Sequence, residues 1–167
     1  MASRKSNGNP RPVVVVDMDG TIADASRREA KFLRRKKKDW PGFFDDMEND
    51  PPIREVLARV HELAETHDII ILTGRPEKYR PQTETWLKKH KVTPTEVLMR
   101  RTGDSRPDFE AKGALMRDLI DRRTVVMALD DREPVCDSYR ELGVYVVQIQ
   151  SDSLNQVVNE TYRLDAE

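Results

Sequence analysis

The chain has 167 residues, of which 37% are hydrophobic and 35% charged, and its formal net charge is −1 at pH 7. This length fits one domain with one core, and the single cysteine, Cys136, excludes an internal disulfide and a cysteine-rich zinc site. The apolar runs are far shorter than a membrane-spanning helix, so we expect no membrane partner.

The first segment, residues 1–12, is polar and rich in glycine, asparagine and proline, which predicts a flexible tail. It has no apolar stretch of the kind that a secretory signal peptide needs, so we expect a cytoplasmic location. Residues 13–167 are predicted to form one domain, with a small helical insert at about residues 24–52.

Short apolar, β-branched runs alternate with helical patterns through this domain. The runs show little polar alternation, which is typical of strands covered on both faces. They are Val13–Val16, Ile69–Leu72, Val97–Met99, Val125–Leu129 and Val144–Ile149. Helical spacing occurs in Ile53–Thr66, Glu77–His90, Phe109–Asp121, Glu133–Leu142 and, more weakly, Leu154–Tyr162. This alternation predicts an α/β fold with a central parallel sheet flanked by helices.

Acidic, hydroxyl and basic side chains directly follow the ends of these runs. In such sheets, ligands bind outside the carboxyl ends of the strands, so we expect these groups to meet at one edge. They are Asp17, Asp19 and Thr21 after the first run, Thr73, Gly74 and Arg75 after the second, Arg100 and Arg101 after the third, and Asp130 and Asp131 after the fourth.

The first acidic pair suits phosphoryl transfer. Gly20 permits a sharp turn, so the carboxylates of Asp17 and Asp19 can flank one substrate atom. Asp17 is the candidate nucleophile, and Asp19 is the candidate proton donor to the leaving oxygen.

The remaining groups can neutralise and bind a phosphate. Magnesium prefers oxygen ligands, for which Asp130 and Asp131 are candidates. The hydroxyl of Thr73 can donate a hydrogen bond to a phosphate oxygen, and Lys112 is a compact cation that can balance the negative charge.

Each of these features also has a plainer interpretation. The first acidic pair could belong to a calcium loop, but Ile22 and Arg28 stand where an EF-hand needs glycine and glutamate. Asp130 and Asp131 could cap the following helix, and Lys112 could be solvated. The four segments together favour catalysis.

The same four segments, in this order, resemble the haloacid dehalogenase (HAD) superfamily of phosphohydrolases. They are Asp17-Met18-Asp19-Gly20-Thr21, Leu72-Thr73-Gly74-Arg75, Lys112 and Leu129-Asp130-Asp131. A narrower likeness, from about Val13 to Ile149, is to the 3′-phosphatase domain of phage-type polynucleotide kinase. It rests on Met99–Arg106, Ala128–Arg132, Glu84–His90 and Leu142–Val144. No P-loop motif occurs, so phosphorylation driven by ATP is not expected.

The resemblance implies a Rossmann-like HAD fold with a minimal helical cap insert. It implies that Asp17 forms an aspartyl-phosphate and that Asp19 acts as acid and then as base. It also implies Mg²⁺ held by Asp17, Asp130 and the backbone carbonyl of Asp19, with Asp131 close by. Thr73 stands where that domain has serine, and Lys112 matches one of its basic positions. The expected substrate-binding residues are Arg28, Gly74, Arg75, Arg100 and Arg106.

The sequence leaves little room for a cap over the site. One helix and one strand fill the space between Lys112 and Asp130, and the insert after Thr21 is short. An open site admits the end of a strand, and the insert carries eight basic residues against one glutamate in Arg27–Lys38. Such a run can contact phosphates, although it is also typical of a solvated face.

We therefore expect the substrate to be a 3′-phosphate end of DNA or RNA, with a separate kinase or ligase as a candidate protein partner. Trp40, Phe43 and Phe44 of the insert could stack on bases or form a local hydrophobic lid. Two alternatives stay open. One is a small-molecule phosphatase or nucleotidase of the same superfamily, and the other is a nucleic-acid-binding accessory protein with a dormant site.

Overall fold

A computed structural model describes residues 10–34 and 36–150. Its five strands form one parallel sheet in the order β3-β2-β1-β4-β5. They are β1 (Val13–Val16), β2 (Asp68–Pro76), β3 (Glu96–Arg100), β4 (Val125–Asp130) and β5 (Val146–Gln148). β1 lies at the centre, because Val13 pairs with Asp68 on one side and Val125 on the other. The predicted α/β fold with a parallel sheet is confirmed.

Helices connect the strands. The insert between β1 and the first long helix contains α1 (Ser26–Arg28), a π-helical turn (Glu29–Leu33), α2 (Trp40–Asp45) and a 3₁₀ turn (Met47–Asn49). The longer helices are α3 (Arg54–Leu63), α4 (Arg80–Lys89), α5 (Asp108–Ile120) and α6 (Glu133–Glu141). Among the described residues, no helix has the length and apolar character needed to cross a bilayer.

The alternation of side chains along β1 divides the core into two layers. Val14 and Val16 face one layer, which is covered by α3 and α4 with Val60 and the fully buried Trp86. Val13 and Val15 face the other layer, which α5 and α6 cover. Because helices cover both faces, the strands are apolar along most of their length, and their polar residues lie at their ends.

Two strands differ from their predicted bounds by more than one residue at an end. β2 continues past Leu72 to Pro76, since Thr73 pairs with Met99 and Pro76 with Arg100 on β3. β5 is shorter than the predicted run, because it is paired only with β4. The predicted helix Leu154–Tyr162 and most of the predicted tail lie outside the described residues.

Candidate active site

A buried charge network joins the ends of β1 and β4. Asp17 follows β1 directly, and Asp130 is the last residue of β4. The Nζ atom of Lys112, on α5, lies 2.8 Å from Oδ1 of Asp17 and 2.7 Å from Oδ2 of Asp130. All three side chains are buried, so each carboxylate depends on this ammonium group for neutralisation.

One ammonium group does not balance the carboxylates gathered here. Oxygen atoms of Asp17, Asp130 and Asp131 all lie within 4.8 Å of one another. Burial and the charge of Asp130 raise the pKa of Asp17 well above its usual value, although Lys112 opposes them. Burial and Asp130 likewise raise the pKa of Asp131 to about 6. A divalent cation with oxygen ligands would relieve this repulsion, so the three residues fit a magnesium-type ion.

The side chain of Asp19 points to a different set of partners. Arg75 donates to both of its oxygens, from Nε at 3.0 Å and from Nη2 at 2.7 Å. Arg28 adds a third hydrogen bond at 2.7 Å. Burial acts to raise the pKa of Asp19, but these two guanidinium groups outweigh it and hold the pKa well below its usual value. Asp19 is therefore ionised in the free protein.

Arg28 is not placed for the substrate contact that the resemblance implied. It is fully buried, and it donates from Nε to both oxygens of Asp50 and from Nη1 to the carbonyl of Phe43. Its guanidinium also lies 4.2 Å from the centre of the Phe43 ring. Its donors are taken up by Asp50, Phe43 and Asp19, so Arg28 orients Asp19 and is absent from the cavity lining.

The end of β2 supplies the next part of the site. Thr73 is buried, and its Oγ1 accepts a hydrogen bond from the backbone N–H of Arg75 at 3.2 Å. Gly74 leaves room for Asp108, because a Cβ at Gly74 would lie 2.3 Å from Oδ1 of Asp108. Asp108 accepts a hydrogen bond from Arg100 at 2.7 Å.

A cavity of about 590 Å³ opens over these groups. Its lining includes Asp17, Asp19, Thr73, Gly74, Arg75 and Lys112, and on one side the basic residues Arg100, Arg106 and Arg132. The insert forms another side through Trp40, Phe43 and Phe44. Among the described residues of Arg27–Lys38, no basic side chain lines this cavity.

The loop after β3 holds the basic side in place. Arg100 donates from Nη1 to the carbonyls of Asp104 and Arg106, at 3.2 and 2.9 Å. Arg106, which is exposed, pairs with the carboxylate of Asp104 at 2.7 Å. Arg101 is exposed and is absent from the cavity lining. Arg100 and Arg106 therefore border the cavity, and each already has a partner.

Two acidic residues of this network were not predicted from the sequence. Asp108 stands four residues before Lys112, a helical spacing that places both side chains on one face of α5, and this signal was available. Asp50, the partner of Arg28, had no such signal, because it lies 22 residues away in a segment without a regular pattern.

Gly20 allows the two acidic segments to approach each other. Its φ is +82°, and an added Cβ would lie 2.3 Å from Oδ2 of Asp131. We expect Gly20→Ala to lower the free energy of unfolding by about 1–2 kcal/mol, the cost of a left-handed backbone. We expect it also to lower phosphatase activity by roughly 10²-fold, since Asp131 must move.

Urea denaturation and steady-state phosphate release would test this prediction. Gly143→Ala is the matched control. Gly143 has φ +81°, with nothing within 4 Å of an added Cβ. It should lose similar stability and keep its activity. Equal activity in the two variants would contradict the role assigned to Gly20.

Comparisons with known proteins agree with this arrangement. Residues 11–154 match the family described as the polynucleotide kinase PNKP phosphatase domain. A chain in the structure of the Pnkp1/Rnl/Hen1 complex is 26% identical, with a TM-score of 0.69, and the match covers 86% of this chain and 47% of that chain. A chain in the structure of the Pnkp1/Rnl/Hen1 RNA repair complex is 25% identical, with a TM-score of 0.70, over 90% of this chain and 47% of that chain.

This chain thus spans about half the length of those two relatives. The class C acid phosphatase from Bacillus anthracis with tungstate bound is 14% identical, with a TM-score of 0.62, over 86% of this chain and 68% of that chain, which shows the fold alone. The family match spans most of the sequence and contains the four segments that carry Asp17, Thr73, Lys112 and Asp130. The chain belongs to the PNKP phosphatase-domain family of the HAD superfamily, and it is a phosphatase.

Proposed function

We propose that this protein removes 3′-phosphate groups from polynucleotide ends through an aspartyl-phosphate on Asp17, with Mg²⁺ as cofactor. The observation that carries the chemistry is the placement of Asp17 at the cavity, held by Lys112 and next to Asp130 and Asp131. The choice of a polynucleotide substrate rests on membership of the PNKP phosphatase-domain family.

The reaction has two steps. A carboxylate oxygen of Asp17 attacks the phosphorus, and the bond between phosphorus and the 3′ oxygen breaks while Asp19 donates a proton to that oxygen. Asp19 then takes a proton from water, whose oxygen attacks the phosphorus, and inorganic phosphate leaves with Asp17 restored. Lys112 and the hydroxyl of Thr73 are proposed to neutralise and orient the phosphoryl group.

Asp19 needs a proton before the first step, and in the free protein it is ionised. Arg75 lines the same cavity, so an entering phosphate dianion competes with Asp19 for its guanidinium group. Loss of that partner would raise the pKa of Asp19 toward its usual value. Substrate binding is thereby proposed to prepare the acid.

Asp17, Asp130 and Asp131 are the residues proposed to hold Mg²⁺, and Asp19 is proposed to contribute only through its backbone carbonyl. When bound, the ion would supply charge neutralisation for the phosphoryl oxygens. This assignment is supported by the surplus of buried negative charge in the cluster.

The relatives suggest the wider setting. Two of the similar chains come from a Pnkp1/Rnl/Hen1 complex, one of them described as an RNA repair complex. We therefore propose RNA 3′-phosphate ends as substrates alongside DNA ends, with a separate kinase or ligase as partner.

A substrate panel tests this function. We expect purified protein to release phosphate from 3′-phosphorylated DNA or RNA oligonucleotides with Mg²⁺ present, and none with EDTA in excess. We expect kcat/KM for oligonucleotides to exceed that for nucleoside 3′-monophosphates by about tenfold or more, because each additional phosphate contact adds salt-sensitive affinity. Oligonucleotides with only a 5′-phosphate serve as the control.

Equal kcat/KM values for mononucleotides and oligonucleotides would instead favour the small-molecule phosphatase. Binding of oligonucleotides without turnover of any phosphomonoester would favour the accessory protein.

A further inference from the structure

The insert places a stack of aromatic rings at the edge of the cavity. We propose that the outer ring, Trp40, stacks on the terminal nucleobase of the polynucleotide whose 3′-phosphate lies at Asp17. The inference rests on the proposed function and deepens it, because it assigns the part of the site that holds the nucleotide itself.

Three near-parallel rings run from the protein interior toward the cavity. Tyr79 is buried, and Phe44 stacks on it with ring centres 5.0 Å apart at 30°. Trp40 stacks on Phe44 with centres 6.0 Å apart at 23°. Trp40 is 45% exposed, so the stack ends in a large ring that is open to solvent.

The helix that carries Trp40 is held firmly for its size. Phe43 packs edge-on against Trp40, with centres 5.8 Å apart, and its other contacts include the buried Arg28. Asp39 caps α2 by accepting a hydrogen bond from the backbone N–H of Gly42 at 2.9 Å. The Trp40 ring is therefore preorganised, which lowers the entropic cost of binding.

The composition of the cavity matches one nucleotide. Its polar floor contains Asp17, Lys112 and Thr73, and its aromatic side contains Trp40 and Phe44. Its volume of about 590 Å³ falls within the range of roughly 300–1,000 Å³ typical of small-ligand sites. A phosphate on the floor directs the attached nucleoside toward the walls, and the aromatic wall is the one suited to the face of a base.

Charge near the ring also fits a nucleic acid. Lys38 is exposed, and its Nζ lies 5.8 Å from the centre of the Trp40 ring. The neighbouring described residues Lys36 and Lys37 are exposed as well. A strand leaving the cavity past Trp40 would carry its next phosphates toward this basic segment. Stacking is tolerant of sequence because every base has a π face, so we expect no strong preference for one base.

The test compares two oligonucleotides of equal length with a 3′-phosphate, one with an ordinary terminal nucleotide and one with a stable abasic residue at that position. For the unaltered protein, kcat/KM should be about tenfold higher with the base present, since stacking contributes roughly that factor. In Trp40→Ala the ratio of the two kcat/KM values should fall close to one. In Trp40→Phe, which retains an aromatic ring, the ratio should stay near that of the unaltered protein.

Tyr145→Ala is the matched control, because Tyr145 is another exposed aromatic residue and lies outside the cavity lining. It should keep the ratio of the unaltered protein. Each ratio comes from one preparation, so partial unfolding of a variant does not alter it.

Two results would overturn the stacking role while leaving the proposed function intact. One is equal kcat/KM of the unaltered protein on the two oligonucleotides. The other is a loss of kcat/KM in Trp40→Ala that is equal on both oligonucleotides, which would indicate that Trp40 only packs as a hydrophobic lid. Failure to hydrolyse either oligonucleotide, by protein that hydrolyses p-nitrophenyl phosphate, would overturn the proposed function and this inference with it.

Discussion

Asp17→Asn is expected to lower phosphate release from a 3′-phosphorylated oligonucleotide by on the order of 10⁴-fold or more. An amide cannot act as the nucleophile that forms an acyl phosphate. Lys112 donates hydrogen bonds to Asp17 and Asp130 and lies 3.9 Å from Asp108, and of these three Asp17 is the proposed nucleophile. The change is nearly isosteric, so the hydrogen bond from Lys112 to Oδ1 is retained and substrate binding should persist.

The stability of this variant has a predicted sign. The pKa of Asp17 is raised by burial and by Asp130, so at neutral pH its ionised form opposes folding when no metal is bound. Asparagine removes that charge. The melting temperature of Asp17→Asn in EDTA should therefore equal or exceed that of the unaltered protein.

Steady-state phosphate release, oligonucleotide binding by fluorescence anisotropy and thermal melting would test this variant. Asp118→Asn is the control, because Asp118 is an exposed carboxylate on α5. Acid quenching of the unaltered protein during turnover should trap labelled phosphate on the protein, and Asp17→Asn should trap none. Unchanged turnover in Asp17→Asn would exclude an aspartyl nucleophile.

Lys112→Met is expected to reduce stability as well as activity. Burial acts to lower the pKa of Lys112, but Asp130 and Asp17 outweigh it and raise the pKa well above its usual value, so the ammonium is firmly charged. Its loss leaves two buried carboxylates unpaired, which costs about 3–5 kcal/mol of unfolding free energy in metal-free protein. The loss of a cation at the reacting centre should lower kcat by roughly 10²–10³-fold.

Urea denaturation in EDTA and again in excess Mg²⁺ separates these effects. Mg²⁺ should restore part of the stability of Lys112→Met, because Asp17 and Asp130 are among its proposed ligands, while the kcat deficit should remain. Lys89→Met, at an exposed position on α4, should leave both quantities near those of the unaltered protein. A stability loss no larger than that of Lys89→Met would contradict the buried network.

The sequence predicted the sheet and the meeting of its chemical groups because both follow from local pattern. Continuous apolar runs mark strands buried on two faces, and parallel strands bring their carboxyl ends to one edge. Asp17 follows the run that forms β1, and Asp130 ends the strand β4. The structure brings both carboxylates to Lys112.

The insert could not be predicted in the same way. Its helices are short, α2 having only six residues, so no amphipathic period can develop. The sequence does not indicate that Arg28 is buried. The burial of an arginine requires an acidic partner, and its partner Asp50 lies 22 residues away. The extension of β2 to Pro76 was missed because Thr73-Gly74-Arg75 has the composition of a turn, and only pairing with β3 reveals it.

The central position of β1 determines when during folding the site can exist. Lys112 lies 95 residues beyond Asp17 in the chain, and Thr21 contacts Asp131 from 110 residues away. Because such non-local contacts require long loops to close first, the fold belongs to the slower-folding topologies. A nascent chain that ends before β4 lacks the second pair of carboxylates. It therefore cannot assemble the proposed three-carboxylate site, so the capacity to bind the ion should arise only after β4 and Asp131 have been synthesised.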